Sequence, residues 1–404
     1  MPVVTTSDNQ SQNNFFDDRD FSDRVGMVQL FNTSQRGQGN PVIRLFENDR
    51  IIMHFDLLDN DFAYLYAKID HCNADWEKSG LNDIEYLDEY NEIPINDYQF
   101  SEGNITPYVS YSFTIPPVTK SGNFAISIYE DGTNKLLLTR RFLVVEKQAS
   151  IDQSMGNSND IGSRMSHQQI EFALKYSNLN VNNPFQDIKV VLLQNHNWNI
   201  AIRLLQPNLT KLEDNCLEYR HFNMENNFAG LNEFRFFDIR LLGTRGNNIL
   251  RVTRSPRGIE AYVQPDKSKK DQVYSEPLLQ DLNGRFYLSN IDPNEMNSQS
   301  EYAWVNFELK SDPVQGDVFV TGRFTNWSLT SDNKLTYNSA SNSYKGSIYL
   351  KQGFYNYMYW LRSTNRPYYH FEGSHYQAQN EYEILVYFRE QGRIYDRLVG
   401  YEFF

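Results

Sequence analysis

The chain has little of what most catalytic and most helical proteins require. Two cysteines, Cys72 and Cys216, occur in 404 residues. They lie far apart and indicate no disulfide framework. No run approaches the roughly 20 consecutive apolar residues of a membrane helix, so direct membrane insertion is not expected. Residues 1–20 are polar and hold no apolar core of a secretory leader. The chain therefore reads either as cytosolic or as a mature form with a starting Met added. Methionine is scarce, at 8, and runs of Ala, Leu, Glu and Lys are missing, which argues against a helical bundle. A basic excess is missing too: 38 Lys and Arg stand against 51 Asp and Glu, a formal net charge of −13. Phosphate binding needs a clustered basic face, so no nucleic acid partner is expected. The acidic balance serves solubility.

Reactive motifs are equally sparse. There is no Gly-x-Ser-x-Gly elbow, no Walker pattern and no Gly-x-Gly-x-x-Gly. His71 and Cys72, with Asp75 nearby, place a thiol beside an imidazole. Neighbours on a strand point to opposite faces, so the two are badly placed to act as a pair. His370, Glu372 and His375 are close in sequence, but the intervening Gly373 and Ser374 suggest a polar turn rather than a metal site. Asp59-Asn60-Asp61 begins like a calcium loop, yet the later Gly and Glu of that pattern are missing, and it reads as a hairpin turn. No catalytic, metal or cofactor residue is assigned, no cofactor is expected, and the chain is not expected to be an enzyme.

Aromatic residues are abundant: 27 Tyr and 27 Phe contribute most of a 15% aromatic content. Such side chains favour pleated, half-buried surfaces. Ile170, Phe172 and Leu174 alternate with Glu171, Ala173 and Lys175, and Tyr382, Ile384, Val386 and Phe388 alternate with residues led by Glu383, so each stretch predicts a strand with one core face. Two apolar runs around Asp131-Gly132 predict a hairpin over 124–145. One or two short helices are expected, around 83–90. The chain thus reads as all-β, with serial immunoglobulin-like β-sandwich domains. A flexible tail spans 1–20, a first sandwich 21–147, a Ser/Asn-rich linker 148–166, a second sandwich 167–299 and a third 300–404, with the last boundary near 292–300. The Lys-rich stretch 264–272 reads as an exposed loop.

In the third block, Gly322-Arg-Phe-Thr-Asn-Trp327 precedes a strand and then Gly353-Phe-Tyr-Asn-Tyr-Met-Tyr359. This order resembles the early-set immunoglobulin-like module of glycogen-binding domains. That resemblance implies sugar stacking by Trp327, Tyr357 and Tyr359, although Met358 stands where the family has a sugar-contacting Lys. The alternative is that these rings pack the sandwich. Longer motifs carry a second resemblance: 64–76 ending His71-Cys-Asn-Ala-Asp-Trp76, 79–82, 104–111, 121–124, 232–238, 370–376, 380–382, 386–389 and 395–401. Together, in this order, they resemble the plug protein of the bacterial type IX secretion system, over the chain from about residue 25 onwards. The resemblance implies a periplasmic, non-enzymatic protein that binds the mouth of a large outer-membrane β-barrel translocon and closes its pore while the lateral exit is open. Family members are made with a signal peptide, and a sequence without one fits a mature form. The alternative function is that of a periplasmic or surface carbohydrate-binding protein.

Overall fold

In the computed structural model of the chain, residues 15–34, 39–243, 245–276, 281–289 and 297–404 are described. Strands Gly122–Glu130 and Lys135–Val145 pair antiparallel, as the Asp131-Gly132 turn predicts. The turn holds Gly132 at φ 77° and Asn134 at φ 53°, left-handed angles that these two residue types tolerate best. Strand makes up 47% of the structure and helix 6%, so the protein is all-β, built of serial sandwich units. The helix expected at 83–90 is a single 3-10 turn, Asp83–Glu85, held by the Glu85 carboxylate accepting from the Asn82 N–H at 2.8 Å.

The first sandwich has two sheets. One runs Arg19–Asp20, Lys135–Val145, Gly122–Glu130, Leu65–Cys72, Ile93–Ile95, with Val42–Arg44 parallel to Lys135–Val145. The other runs Val25–Asn32, Ile51–Leu57, Val109–Thr114, Asp97–Phe100. Met53, Phe55, Ile69, Ile126 and Phe142 meet between them in one core. The expected tail ends sooner than residue 20. Arg19–Asp20 is an edge strand, anchored because Arg141 Nε donates to Asp18 Oδ2 at 2.8 Å. Residues 1–14 lie outside the described residues.

The second sandwich sets Ser150–Asn157, His167–Lys175, Cys216–Tyr219 and Leu209–Lys211 against Ile202–Arg203, Ile188–Gln194, Tyr382–Phe388 and Arg397–Phe403, with Asn227–Ala229 also on His167–Lys175. Phe172, Leu174, Val190, Leu192, Ile384 and Val386 fill its core. The stretch 148–166, expected as a linker, therefore supplies a strand. Ser150–Asn157 pairs along its whole length with His167–Lys175. An edge strand needs only backbone partners, so its polar side chains can face water.

The sheet containing Tyr382–Phe388 has a second apolar face. There Val191, Leu193, Leu385 and Tyr387 pack on Cys72, Ala125 and Leu143 from the outer face of the first sandwich. Four sheets are thus stacked in layers, and all seven residues of Tyr382–Phe388 are buried. The alternation had suggested one exposed face. Glu383 is tolerated inside because His196 Nδ1 lies 2.8 Å from its Oε1 and the Tyr401 hydroxyl donates to Oε2 at 2.9 Å.

The third unit is a ten-stranded sheet folded on itself: eight strands run Arg235–Asp238, Gly353–Arg362, Asp317–Thr321, Lys334–Asn338, Ser343–Lys351, Tyr302–Lys310, Gly258–Val263, Ile249–Ser255, while Asp266–Lys267 pairs with Tyr302–Lys310 and Phe286–Leu288 with Gly353–Arg362. Lys334–Asn338 turns the corner, pairing through Leu335 with Val318 and through Thr336 with Lys345. Phe237, Val305, Phe307, Val320 and Tyr355 line its interior. The hydrogen-bonded units consequently cross the expected segments. Part of 167–299 enters this sheet, while 382–403 returns to the second sandwich. Most of the expected boundary at 292–300 lies outside the described residues.

Candidate functional site

The residues that the sequence offers for chemistry are placed for structure. His71 is buried in strand Leu65–Cys72, with Nδ1 2.9 Å from Ser79 Oγ and Nε2 3.0 Å from the Ser121 carbonyl. Burial lowers its pKa to about 4, so the imidazole is neutral at pH 7. A Cβ on Gly122, which holds φ 145°, would strike that ring, so the site requires glycine. Burial pushes the Cys72 thiol pKa up, away from the thiolate needed for attack. Both cysteines are free and buried.

Asp59 and Asp61 cap their own turn. Asp59 Oδ1 accepts from the Asn60 N–H and Asp61 Oδ1 from the Phe62 N–H, each at 2.8 Å, and Arg24 binds Asp59 Oδ2 at 3.1 Å. His370 faces Arg366 at 2.8 Å. Glu372 is buried and accepts from Arg235 Nε at 3.0 Å and from the Tyr359 N–H at 2.8 Å. Among the described residues no three His, Cys, Asp or Glu side chains converge to hold a metal.

The three rings proposed for sugar stacking are all in the interior. Trp327 is 4% exposed, Tyr357 1% and Tyr359 0%. Trp327 follows a tight turn, with Asn326 at φ 51° and itself at φ 57°, and lies under Phe234 and Gly284. Met358 shares that apolar cluster. Tyr357 and Tyr359 both donate to Asp266 Oδ2, at 2.6 and 2.8 Å, while Arg235 binds Asp266 Oδ1 at 2.8 Å. The stretch 264–272 is accordingly not a simple exposed loop, because its Asp266 anchors two core tyrosines. Stacking on a sugar needs an open ring face, which none of the three provides; the chain's own segments cover them.

A buried ion pair joins the first and third units. Lys351 Nζ lies 2.8 Å from Asp56 Oδ2, and the Tyr302 hydroxyl donates to the same oxygen at 2.6 Å while accepting from the Met27 N–H at 2.9 Å. Ser110 donates to Asp56 Oδ1, and the ammonium sits 4.1 Å from the centre of the Tyr108 ring. A cavity of about 300 Å³ adjoins this joint. The carboxylate and the ammonium hold each other across the joint. Asp56 and Lys351 are 295 positions apart, and nothing in the local sequence around either announces the pairing.

The outer edge of the first sandwich contrasts with these buried groups. Every residue of Asp97–Phe100 is exposed. Tyr98 stacks on Phe62 at 5.1 Å, Tyr64 meets Phe62 edge-on at 5.0 Å and Phe100 meets Tyr98 at 5.9 Å. Tyr64 is 71% exposed, Tyr98 40% and Phe100 43%. An aromatic row at the rim of a sheet offers apolar area to another polypeptide. Sequence reading registered the aromatics but not this row, because it forms only when the loop 58–64 folds back over Asp97–Phe100.

Residues 25–146 match the family model for the type 9 secretion system plug protein 1st domain. That stretch is the first sandwich, aromatic row included. No curated protein matches the chain. A crystal structure of a hypothetical protein from Parabacteroides merdae is similar with a TM-score of 0.90 at 30% identity, covering 96% of this chain and 99% of that one. The plug-domain match falls on a separately packed sandwich, and the likeness to a solved fold runs on through the other two units. The chain belongs to the type 9 secretion system plug protein family.

Proposed function

We propose that the protein is a periplasmic, non-enzymatic plug that binds the periplasmic opening of the outer-membrane translocon barrel of the type 9 system and closes its pore while the lateral exit is open. The observation that carries this reading is the coincidence of the plug-domain match at 25–146 with the exposed rings of Tyr64, Tyr98 and Phe100, gathered on the half-buried Phe62. The stacked sheets and the Asp56–Lys351 joint support it, since a stopper must resist deformation. Among the described residues no helix is long and apolar enough to cross a membrane, and the proposed attachment is to the barrel.

The test replaces Tyr64, Tyr98 and Phe100 together by Ser. Co-purification of the barrel should fall at least tenfold, and a hydrophilic dye too large for ordinary pores should enter the cells as it does in a deletion strain. Undiminished co-purification would remove the aromatic row from the interface. A deletion strain whose outer membrane stays tight with the barrel present and open would overturn the plugging role.

A further inference from the structure

A second cavity, of about 120 Å³, lies where the three units meet. The first sandwich supplies Arg140 and Arg141 to its wall, the second His196, and the third Arg285, Arg323 and Trp327. Four guanidiniums crowd there for a chain whose net charge is −13. Asp20 pairs with Arg140 at 2.7 Å and Asp18 with Arg141 at 2.7 Å. Arg285 and Arg323 must share one carboxylate oxygen, Glu381 Oε2, at 2.7 and 3.2 Å. Glu383, 2.8 Å from His196 Nδ1, is a fourth carboxylate near this cluster and also acts on Arg323.

Hydrogen bonding shows a surplus of donors. Among the described residues Arg285 Nε, Arg323 Nε and Trp327 Nε1 are buried donors without a partner. A buried donor left unpaired is unfavourable, so the site is prepared for an acceptor. All three side chains line this cavity. Burial and the neighbouring Arg285 lower the Arg323 pKa to about 10, the mark of a cation held away from water and beside another. The remaining wall is aromatic, with Phe31, Trp198 and Phe286.

We propose that this cavity is a binding site for a single carboxylate carried next to an apolar group, such as the C-terminus or an acidic side chain of a polypeptide. A planar carboxylate matches the unpartnered guanidinium N–H donors. Inorganic phosphate brings no apolar group for the aromatic part of the wall. The aromatic wall receives the apolar neighbour. This inference does not depend on the plugging role.

The test titrates the intact protein with N-acetylphenylalanine, its amide and inorganic phosphate, reading tryptophan fluorescence and calorimetry. The carboxylate should bind saturably, the amide at least tenfold more weakly and phosphate no more tightly than the carboxylate. Arg285→Gln should weaken the carboxylate at least tenfold, and Trp327→Phe should weaken it severalfold. The comparison of carboxylate and amide needs no variant, so a substitution that disturbs folding does not obscure the outcome. Absence of saturable carboxylate binding, equal binding of the amide, or tighter binding of phosphate would each overturn the proposal.

Discussion

Strands Tyr382–Phe388 and Asp97–Phe100 are opposite solutions to placing aromatic and apolar residues. The first is buried on both faces, between two apolar clusters, and even its Glu383 is hydrogen-bonded. The second lies at a sheet edge with every residue exposed, and its rings gather at the rim over Phe62 and Tyr111. Stability is concentrated in the central layers, and contact area is displayed at the rim. The proposed plugging role needs both, and the separation lets the rim change without loosening the stack.

The comparison can be broken most severely from inside. Tyr387→Ala deletes a ring between two layers and orphans Asn123 Oδ1, which accepts from the Tyr387 hydroxyl at 2.8 Å. The expected loss is about 3–5 kcal/mol, measured by urea unfolding. Lys351→Met strands the Asp56 carboxylate at the joint. Removing one partner of a buried pair costs on the order of 3–5 kcal/mol, and the protein should also become more open to proteolysis between the first and third units.

The next effect depends on pH. His71 takes a proton at about pH 4 when folded, because burial disfavours the imidazolium, and near pH 6.5 when unfolded. The unfolded chain therefore binds more protons between these values. The stability from neutral His71 is complete above about pH 6.5 and is lost as pH falls towards 4, about 3 kcal/mol in all. In His71→Gln the slope of unfolding free energy against pH should flatten across that window. Smallest is Tyr98→Ser at the rim, which should change unfolding free energy by about 0.5 kcal/mol or less. An equally destabilising rim substitution would show that the aromatic row braces the fold instead of facing a partner.

Local features were readable from sequence and distant ones were not. Asp131-Gly132 and the flanking apolar runs carry the 122–145 hairpin within one stretch, and the structure reproduces it. Residues 382–388 announced a strand, but their alternation could not reveal that Leu385 and Tyr387 meet another layer, or that Glu383 finds His196 187 positions away. Ser150–Asn157 was hidden because an edge strand is held by backbone groups, which composition does not report. At the candidate sites, the strand neighbours His71 and Cys72 have separate surroundings: the ring meets Ser79 and Ser121, and the thiol lies in the cluster between layers. The burial of Trp327 beneath Gly284 could not be read, since it depends on a segment more than 40 residues earlier folding across the ring. The arginine cavity draws on all three units and has no local signature.

The return of residues 382–403 to the second sandwich has a temporal meaning. Strand Ile188–Gln194 pairs along its length with Tyr382–Phe388, so a chain emerging N-terminus first must hold an unfinished sheet open across almost two hundred residues. Long-range pairings of this kind close slowly. The first sandwich can assemble early, but its outer face stays uncovered until 382–403 arrive. The assembled stack is therefore an internal check on synthesis, because a chain cut short before these strands would leave apolar sheet faces open to proteases.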